Sequence, residues 1–507
     1  MDEDGNMKTI IIPINTLAEK RGGLVRAAIR KANLLSQKKD YKIVILVLSY
    51  QKHLAEVVMN MKREGKLAER IEVINVIQYL NPKPAYKTKK SGFMEKIKEK
   101  KLVKIKAGKN YRFYDNGTYV MSTNMNRDNG RLEFIDHLEI GRIRVLREEY
   151  DFKGNLARYV EYRNNNATMH RYVDRNKKCF LTVWVDEETG NWMRAIDFNT
   201  GKEYVGMSKF YISIINQIVK ELENPVIFSL FSEKLKNIPE DGKNLDYIIS
   251  KLDSNVKKIS SLHNTHLADP YNDKDKVQPV FKDLFENTNF DRIVVLTDEQ
   301  KKDIKRVFNR DIEVIPNSHD FSIPQYNVQK DISRIIMISR IDAKKRVDLA
   351  VEIMKIIADR DPELYLDFYG FGYKDELEEE IHSKVKDYGL KNFNFKGFTS
   401  NINEELQKSG MSILTSDTEA FPLTIMESIA NNVPCISFDI KYGPKDMIIN
   451  GKNGYLIKQN DIEGFADKII ECKERLKKGD FKNISGTVLN ISSDKVKKQW
   501  IDLFESL

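Results

Sequence analysis

Two short stretches in the last third of the chain hold residues that could do chemistry together: SRIDAKKR, with Arg340 and Lys345, and EAFPLTIMESIANNVPC, with Glu419 and Glu427. Arg340 and Lys345 stand five positions apart at the end of the apolar run RIIMIS, so both can project from one loop after a strand. A guanidinium offers a bidentate fork and an ammonium a compact point charge, a pair suited to a diphosphate. Glu419 and Glu427 are eight positions apart, one before a helix and one inside it. The N–H groups of Phe421, Pro422, Leu423 and Thr424 are read as the opening of that helix, where the helix dipole and unpaired donors bind phosphate. Glu419 can accept hydrogen bonds from sugar hydroxyls, and Glu427, roughly two turns on, from the two hydroxyls of a ribose. Both acids are thus explained by a nucleotide that carries a sugar.

The elements that must hold these groups follow from hydrophobic periodicity. Residues 7 to 80 alternate strands and helices: KTIIIPIN, GGLVRAAIRKANLLSQ, YKIVILVLSY, HLAEVVMNMKREGK and RIEVINVI. From about 81 to 205 the pattern becomes short alternating runs split by turn signals such as YDNGTY, DFKGNL and DFNTGKEY, an inserted antiparallel meander. Alternation resumes at SKFYISIINQIVKELE and repeats in a second unit from RIIMISR to GYLI. The expected division is 1–80 plus 206–320, completed by the C-terminal helix 487–507, then the insert at 81–205, then 321–486. Two doubly wound units place ligands outside the carboxyl ends of their strands. Gly22 and Gly23 open the first helix, where two glycines let the backbone approach an anion.

Composition excludes several classes. The chain has 507 residues, 31% charged and 41% hydrophobic, too long for one core. The acidic start MDEDGNMKTIIIPIN lacks the features of a secretory signal, and no apolar run approaches the roughly 20 residues that span a bilayer. Cys179, Cys435 and Cys472 have neither paired nor metal-ligand spacing, which fits a reducing cytoplasm. The formal charge of +9 is concentrated: Lys83 to Lys109 holds eleven lysines against Glu95 and Glu99, also +9. Such a run is either a solvated segment or an attractor for a polyanion or the inner leaflet of a membrane. Aromatics are not interleaved with the lysines, so nucleic acid is not expected. Asp273 and Asp275 in YNDKDKV form a D-x-D, the metal signature of another transferase fold, but follow no hydrophobic strand and read as a solvated turn.

EAFPLTIMESIANNVPCIS resembles the E-x7-E motif of retaining glycosyltransferases of family 4, and SRIDAKKRVDLAVEIM the Arg/Lys segment of the same family. VIPNSHD and NGKNGYLI resemble further parts of it, whereas Gly370 and Gly372 in FYGFGYKDEL match only a loose pattern. The resemblance implies an α/β protein of GT-B fold, two Rossmann-like domains facing a cleft, with the antiparallel β-rich domain inserted. FDIKYGPKDMI together with the meander is similar to the wall-teichoic-acid α-glycosyltransferases of Gram-positive bacteria, with the adhesin glycosyltransferases as nearest competitors. It implies a catalytic set of Glu419, His263, Arg340 and Lys345, and donor contacts from Gly22, Gly23, Phe421, Pro422, Leu423, Thr424 and Glu427. His266, three residues beyond His263, is not separated from it by spacing alone. Phe421 and Pro422 depart from the commoner EGFGL form, which leaves glucose and N-acetylglucosamine both open.

The activity so implied moves a hexose from a UDP-sugar to hydroxyls of poly(glycerol phosphate) or poly(ribitol phosphate), with no metal and no cofactor. Serine-rich adhesins are the alternative acceptor, and a non-catalytic partner subunit the remaining class. The resemblance also implies a homo-oligomer assembled through the insert; the cysteines point to the cytoplasm, and the lysine run to peripheral contact with the membrane.

Overall fold

A computed structural model describes residues 7–18, 23–84, 102–126, 128–231, 245–253, 255–319, 323–372 and 376–507. Contacts divide the chain into two compact units, 1–260 with 288–291, and 261–287 with 292–507. In the first, the strands Pro225–Phe231, Lys8–Ile14, Tyr41–Val47 and Glu72–Asn75 lie side by side in that order. Their pairing is parallel, with Ile10 opposite Ile43 and Ile11 opposite Ile227. Strands covered on both faces read as continuous apolar runs, and Ile10, Ile11, Ile12, Ile45 and Ile227 are fully buried. Gly23 opens the helix Gly23–Leu35; Gly22 lies outside the described residues.

Between the short helix Val76–Tyr79 and the helix Met207–Lys220, the chain builds a ten-stranded antiparallel sheet. Its strands, Val103–Ala107 through Lys202–Val205, neighbour one another in sequence order, a pure meander. The turn at Asn116 and Gly117 has φ of 47° and 80°, the doubly left-handed geometry that an Asn-Gly pair adopts in a two-residue hairpin. Most of the lysine run, residues 85–101, lies outside the described residues; Lys104 and Lys106 stand exposed on the edge strand.

The second unit holds the parallel pair Arg292–Val295 and Ile312–Val314. It also holds a six-stranded parallel sheet in the order Phe393–Gly397, Tyr365–Tyr369, Asp331–Ile338, Ser409–Leu414, Cys435–Phe438, Gly454–Ile457. The helices Val347–Arg360 and Ile462–Lys477 pack on it through Val351, Met354, Phe465 and Ile469, all fully buried. The final helix Ser493–Glu505 belongs to this unit, where the preceding turn exchanges main-chain hydrogen bonds with His319. Among the described residues no helix is long and apolar enough to cross a membrane.

Two carboxylates set an acid limit on stability. Burial raises the pKa of Glu405, but hydrogen bonds from Tyr369, Arg334 and Lys408 outweigh it and hold the group at about 2. Burial of Glu133 is likewise outweighed by Lys52 and His53, again giving about 2. A pKa lowered on folding stabilises the native state above the unfolded value near 4.5, and that contribution is lost as pH falls from there towards 2. The melting temperature is therefore expected to be level from pH 7 to about 5 and to fall steeply below, with a smaller acid loss in Glu405→Gln. A flat profile down to pH 3 would contradict this assignment.

Candidate active site

The strand Asp331–Ile338 delivers Arg340 and Lys345 on one short loop at its carboxyl end. Ser339 N–H donates to the Tyr369 carbonyl and Ile341 N–H to the Phe371 carbonyl, both at 3.1 Å, so the loop leaves the sheet still paired to its neighbour. That pairing needs Gly370, because a Cβ there would lie 1.7 Å from the Ser339 carbonyl oxygen. Arg340 is exposed and 3.6 Å from the Asp342 carboxylate. A single turn, Ala343–Lys345, then points Lys345 at Glu419, Nζ to Oε1 2.5 Å.

Glu419 lies on the loop that follows the buried strand Ser409–Leu414. Its Oε1 also accepts from Ser416 Oγ at 2.8 Å, and its side chain is 14% exposed against 25% for Lys345. The two loops are stitched together by Thr415 Oγ1 donating to the Lys345 carbonyl at 3.0 Å and by Asp417 N–H donating to that of Lys344 at 2.9 Å. Arg346 adds an ion pair to Asp417 at 3.1 Å. One ammonium and one carboxylate are thus held in register at the carboxyl ends of two strands.

The helix beyond spans Leu423–Ala430. The expectation of a phosphate-facing N–H at each of 421 to 424 needs correction: Pro422 has none and is the N-cap, and the Ile425 and Met426 N–H groups bond back to its carbonyl. Leu423 and Thr424 provide the first-turn donors, which have no intrahelical acceptor in any helix. Phe421 is buried, 5% exposed, so it packs beneath the turn. Glu427 is also buried, at 3%, so it does not lie on an exposed helix face.

His263 follows the strand Lys257–Leu262 directly, half-buried, with Nε2 3.3 Å from Ser261 Oγ. His266 is a different case. It is fully buried, stacked on Tyr442 at 6.0 Å between centroids, and neither ring nitrogen has a hydrogen-bond partner. Burial drives its pKa down to about 4, so the ring is neutral at pH 7 and serves as packing. Asp273 and Asp275 fall in a strand, Asp273–Val277, and not in a turn. The chain reverses just before it, with Asp269 accepting from the Tyr271 and Asn272 N–H groups, and Asp275 pairs with Arg306 at 2.8 Å. Among the described residues no three His, Cys, Asp or Glu side chains cluster as a metal site.

Ser416 and Asp417 also shape the site and carried no motif of their own, while Lys441 and Gly443 lie in FDIKYGPKDMI, which was read for its resemblance and not as part of the site. Gly443 has φ 103°, and a Cβ there would meet Pro422 Cδ at 2.6 Å, so the segment after Cys435–Phe438 lies directly against the turn that opens the helix. The Y-G-P sequence at 442–444 was the available signal.

Residues 318–478, the segment that carries Arg340, Lys345, Glu419 and Glu427, match the family model described as glycosyl transferases group 1. The chain is similar to the poly(ribitol-phosphate) alpha-N-acetylglucosaminyltransferase of Staphylococcus aureus, with 26% identity over 99% of this chain and 100% of that protein. It is also similar to the poly(glycerol-phosphate) alpha-glucosyltransferase of Bacillus subtilis, with 24% identity over 90% of this chain and 68% of that protein. Among solved structures, the G117R mutant of S. aureus TarM in complex with fondaparinux, alpha-GlcNAc-glycerol and UDP superimposes with a TM-score of 0.84. That match has 21% identity and covers 98% of this chain and 100% of TarM. The chain has the GT-B glycosyltransferase fold.

Proposed function

We propose that this chain, a GT-B protein with a match to glycosyl transferases group 1, is a retaining hexosyltransferase. It moves glucose or N-acetylglucosamine from a UDP-sugar to hydroxyls of poly(ribitol phosphate) or poly(glycerol phosphate). The observation that carries the reading is the Lys345–Glu419 pair, 2.5 Å apart, beside the N-terminus of the helix that holds buried Glu427. The bond from the anomeric carbon to the diphosphate oxygen breaks while the acceptor hydroxyl oxygen bonds to that carbon from the same face. The hydroxyl proton leaves with the diphosphate. Negative charge grows on the leaving group and positive charge on the sugar. Arg340, Lys345 and the Leu423 and Thr424 N–H groups are arranged to meet the first, and Glu419 to orient the second. Glu427 holds the ribose and His263 lies beside the sugar. In this reading the fixed cations replace a divalent metal.

The acceptor assignment is supported by the names of both relatives and by the lysine run, which suits a repeating phosphate chain. The enzyme would work at the cytoplasmic face of the membrane as a homo-oligomer. The insert supports this with an edge strand that exposes Val103 and Ile105, 59% and 50% accessible.

The test is UDP release from UDP-glucose and UDP-N-acetylglucosamine, each offered against poly(ribitol phosphate), poly(glycerol phosphate) and a serine-aspartate repeat peptide. One polyol phosphate is expected to stimulate turnover at least about tenfold, with kcat/KM for the polymer falling steeply as salt rises and unchanged by EDTA. Stimulation by the peptide alone would make the acceptor a protein, and loss of activity in EDTA would remove the metal-free reading.

A further inference from the structure

Glu419 is held by its main chain as firmly as by its side chain. Its N–H donates to the Lys441 carbonyl at 3.1 Å and its carbonyl accepts from the Tyr442 N–H at 2.8 Å, so one dipeptide fixes both backbone polar groups. That dipeptide is anchored in turn. Tyr442 is fully buried and its hydroxyl donates to Asp303 Oδ2 at 2.8 Å, while Lys441 Nζ donates to the same oxygen. Asp303 sits on the helix Asp298–Val307, and Arg306 reaches its other oxygen at 3.3 Å. Burial alone would raise the Asp303 pKa, but Lys441 and Tyr442 outweigh it and hold the group below its usual range, so it is charged at neutral pH.

We propose that Asp303 is a positioning residue for Glu419, acting through Lys441 and Tyr442. One carboxylate shared by an ammonium and a phenol fixes two successive residues. Those two residues fix the backbone from which the Glu419 carboxylate projects towards Lys345 and Ser416. Displacing a catalytic group by about 1 Å costs on the order of 100-fold in rate even when every group that touches substrate is intact. The inference rests on the reading of Glu419 as the residue that orients the donor sugar.

The experiment is a double-mutant cycle on UDP release by the full chain, with UDP-glucose or UDP-N-acetylglucosamine and the polyol phosphate that supports turnover. Asp303→Asn is expected to lower kcat about 10- to 100-fold while the donor KM changes less than about threefold. In a Glu419→Gln background the same change is expected to cost less than about twofold, because no carboxylate remains to be misplaced. Tyr442→Phe keeps the ring stacked on His266 and loses only the hydroxyl; it should lower kcat about three- to tenfold, and it carries the cycle if Asp303→Asn fails to melt cooperatively. Losses that multiply in the double variant, or a loss confined to KM, would overturn the positioning role. Normal turnover by Glu419→Gln alone would instead overturn the reading of Glu419, and this inference with it.

Discussion

Lys345→Ala is expected to lower kcat/KM for the sugar donor about 100- to 1,000-fold, the range seen when one preorganised group that stabilises transition-state charge is removed. Two effects act together. The developing charge on the diphosphate loses a fixed cation, and Glu419, only 14% exposed, loses the ammonium 2.5 Å from its carboxylate. An unpaired, largely buried carboxylate opposes the binding of a phosphate-bearing donor through like-charge repulsion. Lys345→Arg should recover part of the loss, since charge returns without the compact geometry. Arg340→Ala is expected to cost less, because Arg340 is exposed and its charge is screened. Initial rates at varied donor decide the matter: a loss below about threefold in Lys345→Ala would remove Lys345 from the donor site.

Gly370→Ala is expected to be strongly damaging although it touches no charged group. A Cβ at that position would sit 1.7 Å from the Ser339 carbonyl oxygen and 2.8 Å from its carbon, both main-chain atoms that no side-chain rotation can clear. The strands Asp331–Ile338 and Tyr365–Tyr369 would have to part where the Arg340 loop begins. Overpacking of this kind costs about 1–3 kcal/mol or more, enough to lower the melting temperature of the second unit by several degrees and to impair turnover at temperatures where the fold survives. Gly389→Ala is the control. Gly389 has φ 61° with nothing within 4 Å of a new Cβ, so it carries only the left-handed backbone penalty of about 1–2 kcal/mol. Equal melting temperatures for the two variants would show that the sheet yields at Gly370 without cost.

Much of the architecture was legible because local pattern and tertiary environment agree. The first two strands carry the apolar runs IIIPI and IVILV, and a parallel strand covered on both faces buries such a run whole. The insert was legible for the opposite reason: short runs with turn residues such as Asn116-Gly117 specify hairpins by local geometry, without help from distant contacts. The pairing of Arg340 and Lys345 on one loop follows from their five-residue spacing after a strand, which the chain itself sets.

What only the tertiary structure decided is contact between residues far apart in the chain. Lys345 meets Glu419 across 74 positions and Asp303 meets Tyr442 across 139, and no periodicity encodes either distance. Burial was decided in the same way. The sequence places Glu427 inside a helix without stating its exposure, and it is enclosed, because the surroundings of a side chain come from every element packed around it. Asp273 and Asp275 look like a solvated turn, but the turn lies just before them, so the pair falls in a strand. The sequence by itself determined which side chains could handle a diphosphate and a sugar and which strands would carry them. The packing of the second unit determined which of them meet, since that depends on long-range closure of the sheet and on close approaches such as Gly370 on Ser339 and Gly443 on Pro422.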